Sequence, residues 1–202
     1  MCPALQEARI RAHHNLAEAL WISIRATKQT WVIGKELTVA GLQGLDPPSN
    51  RIDEWFRALD EVADEQLEAE VGDEEASLIR RKRPDAWAVS WEERRLFIME
   101  FTRPNDKELD FSVSTDRAKY DRYLPLKDCM ARLLPGWEVD VLPFTVGIRG
   151  TIDEAAWTAR LGRLGLQGRA AEQVMLKLVK LALTELTAIY NCRQAALANY
   201  RA

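Results

Sequence analysis

The feature that most constrains the fold of this chain is a pair of alternating runs between residues 85 and 102. The first run, 85–91, places an aspartate, two tryptophans and a valine on one side and small residues on the other. The second run, 96–102, alternates in the same way, and a short charged link joins the two. Alternation with a period of two is typical of β-strands, so the two runs predict a β-hairpin. Trp87 and Trp91 follow the buried period and are expected in the core.

Two acidic residues of this hairpin are predicted to lie close together. A two-residue turn at Glu92–Glu93 puts Asp85 directly opposite Glu100, whereas a four-residue turn makes Glu100 a diagonal neighbour on the same face. In either register the carboxylates are separated by roughly 5–8 Å. Carboxylates at that distance repel unless a cation lies between them, and hard divalent ions prefer such oxygens. The hairpin therefore predicts a metal site, with a pair of solvated carboxylates at strand ends as the alternative.

Charge changes sign just before the hairpin. A predicted helix at about 52–76 carries eleven acidic residues and one arginine, which indicates a solvated face or, as an alternative, a docking surface for a protein partner. Four cations follow it, namely Arg80, Arg81, Lys82 and Arg83. Their position beside Asp85 suits contact with nucleic-acid phosphates, and a nuclear-import signal is the other interpretation.

The remaining elements alternate between helices and strands. Helical patterns cover 4–26 and 170–201, and strand patterns cover 30–39 and 138–148, the second with Pro143 at a bulge or an edge. A further helix follows the hairpin, and Pro125 is expected to kink or interrupt it. On that helix Lys119, Tyr123 and Lys127 are spaced four residues apart and share a face. This succession predicts a mixed α/β fold.

Composition sets broad limits on the function. The chain has 202 residues, 47% of them hydrophobic and 29% charged, with a net charge of −3, which is typical of a soluble globular domain. Its three scattered cysteines fit neither a disulfide framework nor a zinc cluster, so a reducing compartment is expected. The sequence has no apolar run long enough for a membrane span and no signal-peptide pattern. These features predict an intracellular protein, nuclear or cytoplasmic, that does not contact a membrane.

The order of these features resembles the core of the PD-(D/E)XK nuclease superfamily. Pro84–Asp85 matches the PD of that motif and Glu100 matches the second acid, but Thr102 stands where the lysine is usual. One branch, the restriction-like endonuclease domain of non-LTR retrotransposons, carries its lysine on the following helix, and similar domains occur in Crinkler-type effector proteins. The Lys119–Tyr120 pair matches the K-Y of that helix. The HHN at 13–15 and the PFTVGIRG at 143–150 also resemble this branch.

The resemblance implies a fold and an activity. The fold would be an α/β (α+β) restriction-endonuclease-like core over 1–150, with a central mixed sheet of about four strands flanked by helices and the acidic helix as an insertion. Residues 151–202 would form a helical extension, ending in a long helix and packed on the same domain. The activity would be that of a DNA endonuclease dependent on Mg²⁺ (or Mn²⁺), which nicks target DNA and belongs to or derives from a mobile element.

The resemblance also implies roles for particular residues. Asp85 and Glu100 would bind the metal together with the main-chain carbonyl of Phe101, and Glu18 would contribute from the first helix through water. Lys119 would neutralise the charge that develops during cleavage or orient the attacking water. The expected DNA contacts are the four cations before the hairpin, Arg80, Arg81, Lys82 and Arg83, together with Tyr120 and Lys127. A catalytically inactive domain of the same fold, which binds nucleic acid or protein, stays open as the alternative.

Overall fold

The protein was analysed as a computed structural model, which describes residues 3–27, 31–39, 41–42, 45, 79–107 and 110–201. The predicted acidic helix at about 52–76 lies outside the described residues. No helix in the described ranges has the length and apolar character needed to cross a bilayer.

Four helices of eight or more residues are described: α1 (Pro3–Thr27), α2 (Phe111–Leu133), α3 (Glu154–Arg163) and α4 (Arg169–Arg201). The bounds of α1 and α4 agree with the predictions to within a residue. On α1 the buried residues recur every fourth position, because that spacing keeps them on one face of a helix. They include Ala8, Ala12, Leu16, Leu20 and Ile24.

Pro125 does not interrupt α2, which is helical from Phe111 to Leu133. A proline lacks the N–H that would bond to the carbonyl four residues earlier. Here that residue is Asp121, which is exposed, so water can satisfy its carbonyl oxygen. The prediction of an interruption was therefore wrong.

The strands are β1 (Val32–Lys35), β2 (Ala86–Ser90), β3 (Arg95–Thr102) and β4 (Glu138–Thr145), in the spatial order β1-β2-β3-β4. β1, β2 and β3 pair antiparallel. β4 runs parallel to β3. Glu138 N–H donates to Arg94 O and Val146 N–H donates to Thr102 O, so the donor and the acceptor both advance along the chain by the same number of residues. The prediction of a mixed four-stranded sheet flanked by helices, with a long C-terminal helix, is confirmed.

Two of the strands differ in length from their predictions. β1 ends at Lys35, before Glu36 with its positive φ of 49°. β4 ends at Thr145 and is the last of the described strands in the sheet order. Because an edge strand has one unpaired side, it tolerates the missing N–H of Pro143. Of the two predictions for Pro143, the edge position is the one confirmed.

The described residues fall into two compact units. The first unit combines the described parts of 1–28, 101–116 and 144–202, and the second combines those of 29–100 and 117–143. The predicted boundary at residue 150 stays a prediction.

The second unit contains the hairpin as far as Glu100 and α2 from Arg117 onward. Its core includes Trp87 and Trp91, which are 0% and 2% exposed, so their predicted burial is confirmed. Residues from α2 pack into the same core, among them Leu126, Cys129 and Met130. The packing fixes the face that α2 turns toward the hairpin.

In the first unit α1 and α4 run antiparallel against each other. Ser23 Oγ accepts a hydrogen bond from Lys177 Nζ, and Asn15 donates to Glu185. Nearer the start of α1, Cys192 Sγ lies 3.5 Å from the Ala4 carbonyl oxygen.

Candidate active site

The hairpin register brings Asp85 and Glu100 together. Ala86 pairs with Met99 and Ser90 with Arg95, and Arg94 N–H closes a two-residue turn on the Trp91 carbonyl oxygen at 3.4 Å. The next position outward along this ladder joins Asp85 to Glu100. There the Asp85 N–H donates to Glu100 Oε1 at 3.1 Å. Of the two predicted registers, the one with Asp85 opposite Glu100 is confirmed.

Glu100 also binds a lysine from the following helix. Lys119 Nζ lies 2.6 Å from Glu100 Oε2, and the two side chains are 24% and 2% exposed. A carboxylate buried this deeply requires a charged or hydrogen-bonded partner, because transfer of a bare charge out of water is costly. Asp85, Glu100 and Lys119, the three residues predicted to carry out catalysis, are therefore neighbours.

Tyr123 completes the surroundings of Glu100, one helical turn after Lys119. Its side chain is buried, and its hydroxyl donates to the Arg83 carbonyl oxygen at 3.3 Å. Burial raises the pKa of Tyr123, and the negative charge of Glu100 raises it further. The phenol consequently stays protonated and can donate hydrogen bonds. The four-residue spacing placed Tyr123 on the face of Lys119, but sequence reasoning assigned it no role.

The basic segment beside Asp85 divides into two kinds of residue. Arg81 and Arg83 are exposed, whereas Arg80 and Lys82 are partly buried. Lys82 instead donates through Nζ to the Arg122 carbonyl oxygen and lies over the Tyr123 ring, 5.4 Å from its centroid. Cations at this distance from an aromatic face are attracted to the ring. Lys82 therefore helps to hold Tyr123, whereas the two arginines face solvent.

The other residues of α2 predicted to contact DNA lie in a separate acidic neighbourhood. Lys127 Nζ binds Asp128 Oδ1 at 3.2 Å. Burial raises the pKa of Tyr120, and the nearby charge of Asp140 raises it further. Lys127 thus forms an ion pair with Asp128, whereas Lys119 forms one with Glu100.

Two predicted metal ligands belong to the first unit. Glu18 lies 3.4 Å from the guanidinium of Arg25, and both side chains are substantially exposed. Phe101 is buried, with its ring centroid 5.5 Å from that of His13. The metal-binding roles of Glu18 and of the Phe101 carbonyl stay predictions.

The donors around Glu100 fit a hard divalent ion better than a soft one. Within the described ranges, no group of three or more His, Cys, Asp and Glu side chains is arranged to hold a metal ion. Mg²⁺ usually retains several waters and takes only one or two carboxylates together with substrate phosphates. Glu100 Oε1 accepts from the Asp85 N–H and Oε2 accepts from Lys119, and each carboxylate oxygen has two lone pairs. Asp85 and Glu100 are thus compatible with Mg²⁺ or Mn²⁺.

A scan of the sequence against protein-family models gives no match, and neither does a search of curated proteins.

Proposed function

We propose that this chain is a metal-dependent DNA endonuclease domain with a PD-(D/E)XK fold, similar to the restriction-like endonuclease domain of non-LTR retrotransposons. The observation that carries the proposal is the contact between Lys119 and Glu100. Nζ of Lys119, which lies on α2, is 2.6 Å from Glu100, the second acid of the hairpin. Asp85, the first acid, lies beside Glu100 and donates its backbone N–H to it. This is the arrangement that the resemblance requires when Thr102 replaces the usual lysine. An origin in a mobile element belongs to the same proposal.

The acidic pair would hold the metal. A Mg²⁺ or Mn²⁺ ion bound by Asp85 and Glu100 would polarise the scissile phosphate and lower the pKa of a water molecule. The orientation of Glu100 is fixed by the Asp85 N–H on one oxygen and by Lys119 on the other. With Tyr123 packed beside it, the carboxylate keeps one conformation as substrate arrives.

Lys119 can serve the substrate while it remains bound to Glu100. An ammonium has three N–H donors, and the contact with Glu100 Oε2 uses one of them. Its side chain is 24% exposed, so part of the ammonium group is within reach of solvent and of a phosphate oxygen. A fixed positive charge at that point stabilises the negative charge that develops on the phosphate during cleavage.

The exposed arginines suit the binding of DNA. Arg81 and Arg83 lie within four residues of Asp85, and their exposed guanidinium groups can bind backbone phosphates in a bidentate manner. Such contacts are independent of base sequence and would hold the duplex beside the acidic pair.

The alternative is a catalytically inactive domain that binds nucleic acid or protein. The ion pair between Lys119 and Glu100 is also compatible with this inactive domain. A carboxylate that is 2% exposed and satisfied on both oxygens can simply hold α2 against the hairpin. In that case the lysine stabilises the fold and performs no chemistry.

The experiment is a plasmid-nicking assay with Mg²⁺, with Mn²⁺ and with a chelator. Wild-type protein is expected to nick supercoiled plasmid only with metal, and Asp85→Asn or Glu100→Gln should lower the rate by about a hundredfold or more. Asp128→Asn is the matched control, because Asp128 is an exposed carboxylate on α2 that contacts Lys127. If wild-type protein binds DNA but cuts it with neither metal, the inactive domain is the correct reading.

A further inference from the structure

The first unit contains a cavity of about 830 Å³ that is separate from the residues assigned to cleavage. Part of its wall is apolar, formed by Leu5 of α1, by Leu186 and Ile189 of α4, and by Ile148 after β4. This volume lies within the range of ordinary small-molecule sites, which are mostly apolar with a few polar groups.

Three arginines also line the cavity. Arg9, Arg103 and Arg193 lie there together with His13, and none of the described residues that line it is acidic. The cations come from three parts of the chain: α1, the segment after β3, and α4. Several positive groups around one partly open cavity raise the local positive potential, because their fields add.

Arg103 is held by hydrogen bonds to the backbone. Its Nη2 donates to the carbonyl oxygens of Ile148 at 3.1 Å and Ala182 at 3.0 Å. Its Nε is buried and has no hydrogen-bond partner among the described residues. Burial lowers the pKa of the guanidinium, and the charges of Glu185 and Asp106 oppose that effect. A buried N–H donor without a partner is unfavourable.

Two further polar side chains, Asn105 and Tyr190, line the cavity. For these two side chains and for that of Arg193, the described part of the chain provides neither a hydrogen bond nor an ion pair. The Tyr190 side chain is 57% exposed, so one flank of the cavity offers an aromatic ring and a hydroxyl. The cavity thus combines unpaired donors with an apolar wall.

We propose that this cavity binds a phosphate monoester carried on an apolar or aromatic body. A phosphate monoester has a charge of about −1.5 to −2 at neutral pH, which matches several arginines better than a single carboxylate does. Arginine binds phosphate oxygens in a bidentate geometry, and the apolar wall would cover the organic part of the ligand. A nucleotide and a lipid phosphate share this chemistry. The site lies wholly in the first unit and does not depend on nuclease activity.

The test is equilibrium binding measured by calorimetry on the full chain without divalent metal. The probes are AMP with adenosine as its uncharged partner, octyl phosphate with octanol as its partner, and inorganic phosphate. At least one monoester is expected to bind at least tenfold more tightly than its uncharged partner and than inorganic phosphate, and more weakly as salt increases. Preference for AMP would identify a nucleotide site, and preference for octyl phosphate a lipid site. Equal binding of each monoester and its uncharged partner would overturn the proposal.

Variants locate the binding in the cavity. Arg193→Gln should weaken the preferred monoester by about tenfold or more, the size expected for one charged hydrogen bond. Arg169→Gln is the matched control, since Arg169 is exposed on the same helix and does not line the cavity. Arg103→Gln is a second test, with circular dichroism to confirm folding, because Arg103 also holds two backbone carbonyls. Binding by Arg193→Gln that equals binding by Arg169→Gln would refute the site.

Discussion

The ammonium nitrogen of Lys119 lies 2.6 Å from Oε2 of Glu100, and the glutamate side chain is 2% exposed. The two residues belong to α2 and β3, so a single contact joins the helix to the hairpin. Removal of either partner leaves the other charge in a poorly hydrated position. This contact should therefore contribute both to the stability of the second unit and to the proposed cleavage. Denaturation measures the first contribution, and plasmid nicking measures the second.

Lys119→Ala is expected to lower the free energy of unfolding by about 2–3 kcal/mol, less than for a fully buried pair because the lysine is partly exposed. Lys127→Ala should change it by less than about 0.5 kcal/mol, because the partner of Lys127 is exposed. Urea denaturation measures both. The double variant Lys119→Met/Glu100→Gln should recover part of the loss, because neither charge is then buried alone. Equal stability of Lys119→Ala and Lys127→Ala would mean that the pair contributes nothing.

For cleavage, Lys119→Ala should reduce plasmid nicking by about a hundredfold or more, because a fixed charge near the reacting phosphate is lost. Lys127→Ala should nick at close to the wild-type rate. Lys119→Arg separates the two roles of the lysine, since it keeps the positive charge near Glu100 but not the geometry of an ammonium. We expect its stability to be near that of the wild type while its nicking stays low. Full activity of Lys119→Ala, assayed where the variant is folded, would exclude the catalytic role.

Tyr123→Phe should remove the hydroxyl without emptying the core. The lost hydrogen bond to the Arg83 carbonyl is expected to lower stability by about 1 kcal/mol. Burial and the charge of Glu100 raise the pKa of Tyr123 in the folded state above its ordinary value near 10. The corresponding stability is present below pH 10 and is lost as the pH rises above it. Between about pH 9 and 11, the free energy of unfolding should therefore decrease less steeply with pH for Tyr123→Phe than for the wild type. The same dependence of stability on pH in both proteins would contradict the raised pKa of Tyr123.

The parts of this fold that were predictable from sequence are those that local periodicity determines. The alternation in 85–102 identified the hairpin, and the turn at Glu92–Glu93 limited its register to two possibilities, one of which the structure has. Lys119 could be proposed because its position matched a motif. Its distance to Glu100 could not be derived, because that distance depends on how α2 packs against the hairpin.

Long-range contacts account for what the sequence did not reveal. Lys82 looked like one of four equivalent cations, but it lies over Tyr123, which is about forty residues further along the chain. Local charge pattern carries no information about such a contact. The cavity lined by Arg103 was equally hidden, since its lining comes from α1, α4 and two connecting segments that are far apart in sequence.

Divalent metal should stabilise the folded protein. A ligand that binds only the native state raises the melting temperature, and the increase grows with the logarithm of ligand concentration above Kd. Millimolar Mn²⁺ is expected to do so through Asp85 and Glu100. Asp85→Asn should melt at nearly the same temperature with and without Mn²⁺, and Asp128→Asn should keep the wild-type response. Differential scanning fluorimetry over a Mn²⁺ titration measures this shift. An identical response in wild type and Asp85→Asn would place the metal elsewhere.

The basic segment should contribute to DNA binding through two of its four cations. Arg81 and Arg83 are exposed, so each can contact one phosphate, and replacement of both by alanine should lower the slope of log affinity against log salt by about 2. Lys82→Ala should leave this slope nearly unchanged and lower stability instead, because Lys82 binds the Arg122 carbonyl and covers Tyr123. Fluorescence anisotropy with a labelled duplex at several salt concentrations gives the slopes, and Arg132→Ala on α2 is the exposed control. Equal slopes for the double variant and for Arg132→Ala would show that Arg81 and Arg83 do not contact DNA. If Lys82→Ala lowers the slope by about as much as the loss of one arginine, Lys82 also contacts a phosphate despite its position over Tyr123.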